Sequence, residues 1–240
     1  MQAQLAFKSS IVVIALSLLT TGNAMAITNG NFSNGLSGWN TAGDVAVQSG
    51  AVIMTTASLG FQDDFPEAAG AFNASGHDAV SSSTLESFSG LTAGALDGND
   101  FAYEGSVLKQ TFSVNAGDKL SFDWNFFTNE AANASPDFAF FSINGVLTKL
   151  ASSANATNAS VPYAFSTGKS TFNQTFTSAA TVSLAFGVTD VTDYNVTSAL
   201  WLDNVAVTSV AAVPEPTTYA MMLAGLGLLG AIAKQRRNLK

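Results

Sequence analysis

Leu120-Ser121-Phe122-Asp123-Trp124-Asn125-Phe126 alternates large apolar and polar side chains at every position, and this stretch decides the fold class. A period of two is typical of a β-strand that has one face against a core and the other in water. Val182, Leu184, Phe186 and Val188 repeat the period further along the chain. The two stretches predict antiparallel sheet with one buried face and one solvated face.

Turn signals separate the predicted strands at short intervals. Asn144-Gly145 joins the runs Phe138–Ile143 and Val146–Leu150, and this residue pair tolerates the positive φ angles of a type I′ hairpin turn. Ala116-Gly117-Asp118 separates the run Val107–Val114 from the stretch quoted above. Several short strands without a helical period predict an all-β fold, a single antiparallel β-sandwich of jelly-roll type.

The stretch from Gly60 to Gly98 interrupts this pattern. It contains Ser81-Ser82-Ser83, many Gly and Ala residues and clustered acidic side chains. Because this composition favours irregular backbone, we expect long loops or an insertion there.

The N-terminus carries a targeting signal. Lys8 precedes the apolar run Ile11–Leu19, and Ala24-Met25-Ala26 has the small-x-small pattern after which signal peptidase cuts. The apolar run is shorter than a membrane span, which needs roughly 17–25 residues. Residues 1–26 are therefore predicted to be a cleaved signal peptide.

The C-terminus, residues 213–240, is predicted to be a membrane-anchoring tail. Its residues 217–233 are 17 uncharged, mostly apolar residues, the lower limit for a transmembrane helix. The basic end, residues 234–240, stays inside, so the preceding domain lies outside and the tail anchors the protein in the inner membrane. The alternative is a core helix of a soluble domain, which would lack this terminal position and this basic stop.

The predicted β-sandwich domain, residues 27–212, is strongly acidic. Residues 27–213 contain 16 acidic and 4 basic side chains, a net charge near −12. Such a surface repels phosphate backbones, so no nucleic-acid partner is expected, and it favours divalent cations or neutral sugars. The sequence has no cysteine, which excludes disulfides, thiol catalysis and zinc–cysteine sites.

We expect no catalytic residues in this chain. His77 is the only histidine, and no Gly-x-Ser-x-Gly elbow accompanies it. Glycoside hydrolysis by two carboxylates stays open, because the acidic residues offer many pairs and none stands out.

The tail sequence Val213-Pro214-Glu215-Pro216, followed by the apolar run and the basic end, resembles the PEP-CTERM sorting signal of Gram-negative bacteria. The resemblance implies that Pro214, Glu215 and Pro216 form the motif near which an exosortase removes the tail. It also implies release to the cell surface or the extracellular matrix, in species that export polysaccharide and form biofilm or floc. Independently of the family, two prolines hold the backbone around Glu215 extended, so a protease can reach it.

A second resemblance concerns the first and last segments of the predicted domain. Residues 29–39, Asn-Gly-Asn-Phe-Ser-Asn-Gly-Leu-Ser-Gly-Trp, are similar to the opening strand and turn of galactose-binding-like jelly-roll carbohydrate-binding modules. Residues 200–205, Leu-Trp-Leu-Asp-Asn-Val, resemble their closing strand. The resemblance implies that these strands pair and that a structural calcium ion lies beside them, with Asp203 as ligand and Asn29 or Asn31 as helpers. Ser33 stands where that class commonly has an acidic residue. The alternative is that Asp203 binds local backbone at a bulge.

Trp201 and Trp39 are the predicted ligand-facing aromatic residues, because aromatic rings stack on the apolar faces of sugars. Trp201 lies in the opposite register to Leu200 and Leu202, which favours exposure. The sequence thus predicts an exported, non-enzymatic surface or matrix protein that binds glycan or exopolysaccharide in biofilm or floc. A glycoside-active enzyme on matrix polysaccharide and a self-assembling structural matrix protein are the alternatives.

Overall fold

A computed structural model describes residues 27–98, 100–132, 135–209 and 216–237. The predicted signal peptide, together with Pro214 and Glu215 of the predicted sorting motif, lies outside the described residues. The strands of the described ranges, in chain order, are β1 (Asn40–Ala42), β2 (Asp44–Gln48), β3 (Ala51–Thr55), β4 (Val80–Ser81), β5 (Ala102–Val114), β6 (Lys119–Thr128), β7 (Phe138–Ile143), β8 (Val146–Ser152), β9 (Asn158–Ala159), β10 (Phe165–Ser166), β11 (Ser170–Thr175), β12 (Ala180–Val191) and β13 (Ser198–Thr208). The helices there are α1 (Ser82–Ser89) and α2 (Pro216–Arg237), and a 3₁₀ turn covers Ser153–Asn155.

The strands within the described ranges form two antiparallel sheets. Sheet 1 has the order β1-β5-β12-β7-β8, with β4 also paired to β5. Sheet 2 has the order β2-β3-β13-β6-β10-β9, with β11 also paired to β6. From β5 onward the chain crosses repeatedly between the sheets, as jelly-roll sandwiches do. The predicted fold class, an antiparallel β-sandwich, is confirmed.

The inner faces of the two sheets enclose the main core. Leu120, Phe122 and Phe126 of β6 are fully buried, as the period of two predicts. The Phe122 ring meets the Phe186 ring of sheet 1 edge to face, with 4.8 Å between centroids. Each such buried side chain contributes roughly 1.5–3 kcal/mol, so this aromatic layer is a main stabilising element of the sandwich.

The predicted hairpin is confirmed at its turn. Asn144 and Gly145 have φ angles of 51° and 78°, as a type I′ turn requires, and they join β7 to β8. The predicted turn between β5 and β6 is also present, with Gly117 at a φ angle of 91°.

The expectation of loops from Gly60 to Gly98 is wrong for one part, because α1 lies there. The Ser81 hydroxyl caps the helix by accepting from the Thr84 amide, and Gly90 ends it at a φ angle of 73°. Leu85 of α1 and Leu96 after it are fully buried in a cluster with Phe138 and Phe140 of β7. Helix α1 and the following segment therefore close the outer face of sheet 1.

The tail forms helix α2, which contains three glycines among its apolar residues and ends in Lys234, Gln235, Arg236 and Arg237. Among the described residues, no helix is long and apolar enough to cross a membrane. The transmembrane helix expected over residues 217–233 stays a prediction.

Candidate functional site

The outer face of sheet 2 carries a row of side chains set by strand register. Trp201 of β13 pairs with Ile53 of β3 on one side and with Asn125 of β6 on the other. Because neighbouring residues on a strand point to opposite faces, Trp201 points away from the core that Leu200 and Leu202 enter. Trp201 lies on the outer face, as its register predicts, and is half-buried there rather than fully exposed.

Two loops bring further aromatic side chains over this face. Tyr163 is buried between two rings, with its ring centroid 5.1 Å from that of Phe72 and 5.5 Å from that of Phe127. Phe127 belongs to β6, whereas Phe72 and Tyr163 come from loops far apart in sequence. No local signal in the sequence predicts this arrangement, because it depends on the tertiary packing of segments that are distant in the chain.

The loop that carries Phe72 is held by a buried carboxylate. Asp44 of β2 is fully buried, and its two oxygens accept from the Ala74 amide at 2.8 Å and the Ser75 amide at 2.6 Å. The Thr55 hydroxyl donates to the same carboxylate. Since hydrogen bonds to a charged group are strong, Asp44 fixes the height of this loop above sheet 2.

Between these loops and sheet 2 lies a cleft of about 530 Å³, hereafter the aromatic cleft. Its apolar lining includes Trp201, Phe127, Phe72, Tyr163 and Ile53.

The polar lining of the aromatic cleft includes Gln48, Asn73 and Glu67. The Asn73 amide is committed to its own loop, because its Nδ2 donates to the carbonyls of Ala57 and His77. Gln48 and Glu67 are exposed, and within the described part of the chain their side chains make no hydrogen bond. They are the groups free to meet a ligand.

A second depression of about 490 Å³, the acidic groove, adjoins the aromatic cleft and shares Glu67, Phe72 and Tyr163 with it. Its lining also includes Asp63 and Asp64. The Asp64 carboxylate accepts from the Thr197 hydroxyl at 2.6 Å and the Asn129 amide group at 2.8 Å. Asp64 therefore joins two loops.

Trp39, the other predicted ligand-facing aromatic residue, lies in the core. It is 8 % exposed and packs against Phe32 and Phe186, with ring centroids 5.5 and 6.3 Å away. Its indole nitrogen donates to the Asn29 carbonyl. The expectation that Trp39 faces a ligand is corrected by this burial: the turn over residues 29–38 folds the ring inward.

The structure brings the two edges of the domain together at one point. The Val205 amide donates to the Gly30 carbonyl at 2.9 Å, although residues 29–38 form turns and β1 pairs with β5 rather than with β13. The expected pairing of an opening strand with the closing strand is therefore replaced by this single contact.

The side chains that were predicted to bind calcium form hydrogen bonds within their own loops. An Asp203 oxygen accepts from the Asn204 amide at 2.7 Å, beside a bulge between Asp203 and Ala206, which is the arrangement of the alternative hypothesis. The Asn29 amide group bonds the Gly35 and Ser37 carbonyls, and the Asn31 side-chain oxygen accepts from Ser33. In the described ranges no three acidic or histidine side chains cluster as metal ligands. Calcium binding thus stays a prediction.

Asp137 and Asp190 form a carboxyl pair inside the sandwich. Both are 2 % exposed, so neither reaches the aromatic cleft or the acidic groove. Burial, with the nearby Glu130 carboxylate, raises the pKa of Asp137 to about 7, and burial together with the Asp137 charge raises the pKa of Asp190 well above its usual range. The hydrogen bond between the two carboxyls raises the pKa of Asp190 and lowers that of Asp137. The Ser198 hydroxyl of sheet 2 donates to Asp137 at 2.7 Å, which links the two sheets.

Glu104 and Asp63 form a second pair of carboxyl groups, and Ser58 bridges them. The Ser58 amide donates to Asp63 at 3.2 Å, and its hydroxyl donates to Glu104 at 3.3 Å. Burial raises the pKa of Asp63, and it raises the pKa of Glu104 to about 7. Asp63 is the member of this pair that lines the acidic groove.

Comparison with known proteins gives one sequence finding. Residues 212–237 match the PEP-CTERM protein-sorting motif. A comparison with curated protein sequences finds no match.

One similar solved structure is described as "CBM4 structure and function". It is 14 % identical, its alignment covers 75 % of this chain and 99 % of that chain, and the TM-score is 0.34.

The sorting motif defines the class of this protein. It is an exported protein that its C-terminal tail holds transiently at the membrane and that an exosortase processes for the cell surface. The predicted resemblance of the tail and the predicted localisation are confirmed by the match, whose 26 residues include Pro214, Glu215 and Pro216.

Proposed function

We propose that this protein binds glycans in the aromatic cleft once it has reached the cell surface, and that it thereby contributes to a polysaccharide matrix. The observation that carries the proposal is Trp201, a half-buried ring beside Phe127 and Tyr163 on the outer face of a sheet. Aromatic rings present a flat apolar surface to the C–H face of a sugar ring. In a cell that exports polysaccharide, a protein sorted to the surface would meet that polysaccharide there.

The polar groups of the aromatic cleft suit the same ligand. Gln48 and Glu67 can donate to or accept from sugar hydroxyls, since their side chains make no hydrogen bond with other described residues. Sites for small ligands combine mostly apolar walls with a few polar groups that fix orientation, and about 530 Å³ lies within the range of such sites. The cleft adjoins the acidic groove, with which it shares Glu67, Phe72 and Tyr163, and the two depressions together leave room for a chain of sugars.

The test is retention of the exported protein on exopolysaccharide isolated from its host. Wild type is expected to be retained, whereas Trp201→Ala is expected to lose about 1–3 kcal/mol of binding, roughly five- to 150-fold in Kd, since one stacked ring is removed. Phe101→Ala is the matched control, because Phe101 is 68 % exposed and lies outside the cleft. Equal retention of Trp201→Ala and wild type, or no retention of either on any host glycan, would overturn the proposal.

A glycoside hydrolase is the second candidate, favoured by the Asp63–Glu104 arrangement. A carboxyl with a pKa near 7 can act as a general acid at neutral pH. Release of reducing ends from the host polysaccharide, abolished by Glu104→Gln, would establish this activity. Binding without any release, under the same conditions, would leave the glycan-binding function alone.

A further inference from the structure

The charges around the aromatic cleft point to a particular class of glycan. We propose that the cleft prefers sugars that carry free, protonated amino groups, such as de-N-acetylated hexosamines, over neutral sugars and over uronic acids. This inference rests on the proposed glycan-binding function and names its ligand.

Glu67 is the residue that gives the cleft this preference. It lines both the aromatic cleft and the acidic groove, so its carboxylate lies where the two depressions join. Its backbone is fixed, because the Glu67 amide donates to the Asp64 carbonyl at 2.8 Å and the Gln62 amide group donates to the Glu67 carbonyl. The side chain itself is exposed and, among the described residues, accepts no hydrogen bond, so its charge is available to a ligand.

The other charges of the two depressions have the same sign. Asp63 and Asp64 line the acidic groove, and in the described part of the chain no Lys or Arg lines either depression. Lys169 is the nearby cation, since its Nζ lies 5.0 Å from the centroid of the Trp201 ring. That charge is offset, because the same Nζ is 3.1 Å from an Asp123 oxygen.

The physical consequence is a negative potential over an apolar floor. A uronate or sulfate group stacked on Trp201 would meet Glu67, and the Lys169 ammonium beside the ring is already paired with Asp123, so this contact is unfavourable. A protonated amine on the same ring would meet Glu67 and could donate hydrogen bonds to it. The neutral sugar gains the stacking and the hydrogen bonds of its hydroxyl groups, but no ion pair with Glu67.

The experiment compares three hexasaccharides of equal length on the exported protein: glucosamine, N-acetylglucosamine and a hexuronic acid. Titration at a pH where the amines are protonated should give the order amine, then N-acetyl, then uronate. The difference in affinity between the amine and the N-acetyl sugar should shrink as salt rises from low ionic strength to about 0.5 M. Added salt shortens the distance over which exposed charges act to roughly 10 Å or less.

Glu67→Gln should weaken binding of the amine about two- to fivefold, as the loss of an exposed ion pair does, and leave binding of the N-acetyl sugar unchanged. Asp97→Asn is the matched control. Asp97 is exposed on the segment that covers sheet 1, and an asparagine oxygen can still accept from the Ala102 amide that Asp97 binds at 2.9 Å. It removes one negative charge without touching the cleft, so it should change neither affinity.

The outcomes separate this inference from the function on which it rests. Tight, Trp201-dependent binding of the neutral sugar or the uronate, without preference for the amine, would overturn the inference and leave glycan binding standing. If Trp201→Ala and Glu67→Gln both leave the preference for the amine intact, the amino sugar is attracted to the acidic surface as a whole and not to the cleft. That result would also overturn the inference. If none of the three sugars binds while host polysaccharide is retained, the amino-sugar assignment is wrong. If host polysaccharide is not retained either, the proposed function fails with it.

Discussion

The two sheets of the sandwich are covered on their outer faces in different ways. Over sheet 1, a capped helix and the segment after it bury Leu85 and Leu96 completely against Phe138 and Phe140. Over sheet 2, loops supply Phe72 and Tyr163 but leave Trp201 half-buried beside a cleft of about 530 Å³.

The difference lies in what holds each cover. A helix presents several apolar side chains from one face and seals the sheet beneath it. The loop over sheet 2 is held mainly by polar contacts to Asp44, which fix its height without filling the space below. One fold thus provides a face that stabilises and a face that can bind.

The largest effect is expected where the helix seals sheet 1. Leu85→Ala should lower the free energy of unfolding by about 2–5 kcal/mol, because a fully buried leucine is replaced by a cavity. Urea unfolding, followed by fluorescence, measures this change in the free energy of unfolding. Leu59→Ala is the control, since Leu59 is 46 % exposed and should cost at most about 0.5 kcal/mol. A loss below about 1 kcal/mol for Leu85→Ala would show that α1 does not seal this face, and the contrast between the two covers would fail.

A smaller and more local effect is expected over sheet 2. Asp44→Ala should cost about 1–3 kcal/mol, because the Ala74 and Ser75 amides lose their acceptor. Hydrogen exchange of these two amides should accelerate, and glycan retention should weaken as Phe72 moves. Asp44→Asn, which keeps one acceptor oxygen, should fall between wild type and Asp44→Ala. Unchanged exchange at Ala74 and Ser75 would show that other contacts hold the loop.

The two covers also differ in how far the sequence predicts them. Strand β6 and the hairpin of β7 and β8 were predicted correctly, because a period of two and an Asn-Gly turn are local signals. Helix α1 was not predicted, because a run of serines is more typical of a loop than of a helix. Ser81 as N-cap and Gly90 after the last turn were the available signals.

The cleft over sheet 2 was predicted only in part. The register of Trp201 indicated the outer face, since strand alternation is local. Phe72, Phe127 and Tyr163 come together only through the fold, so no spacing in the sequence indicates them. Trp39 was expected to face a ligand but is buried, because an aromatic residue that follows a turn can fold into the core.

The pH dependence of stability is expected to arise from buried carboxyl groups that lie between the two covers. Asp137, Asp190 and Glu104 have raised pKa values, chiefly through burial, so the native state holds protons that the unfolded chain releases above about pH 4. Their contribution to stability is present below that pH and is lost as the pH rises through about 7. Each proton held by the native state alone lowers the free energy of unfolding by about 1.4 kcal/mol per pH unit in this window. Urea unfolding at pH 5, 6 and 7 should therefore show falling stability.

Asp190→Asn should flatten this pH dependence, because the amide can donate to Asp137 without a titrating proton. Glycan binding in the cleft should change little over the same range, since Asp137 and Asp190 are 2 % exposed and lie away from it. Stability that rises from pH 5 to pH 7 would mean that the pair is ionised in the folded protein. The link between the sheets through Ser198 and Asp137 would then be an ionic hydrogen bond, strongest at neutral pH, rather than a contact that neutral pH weakens.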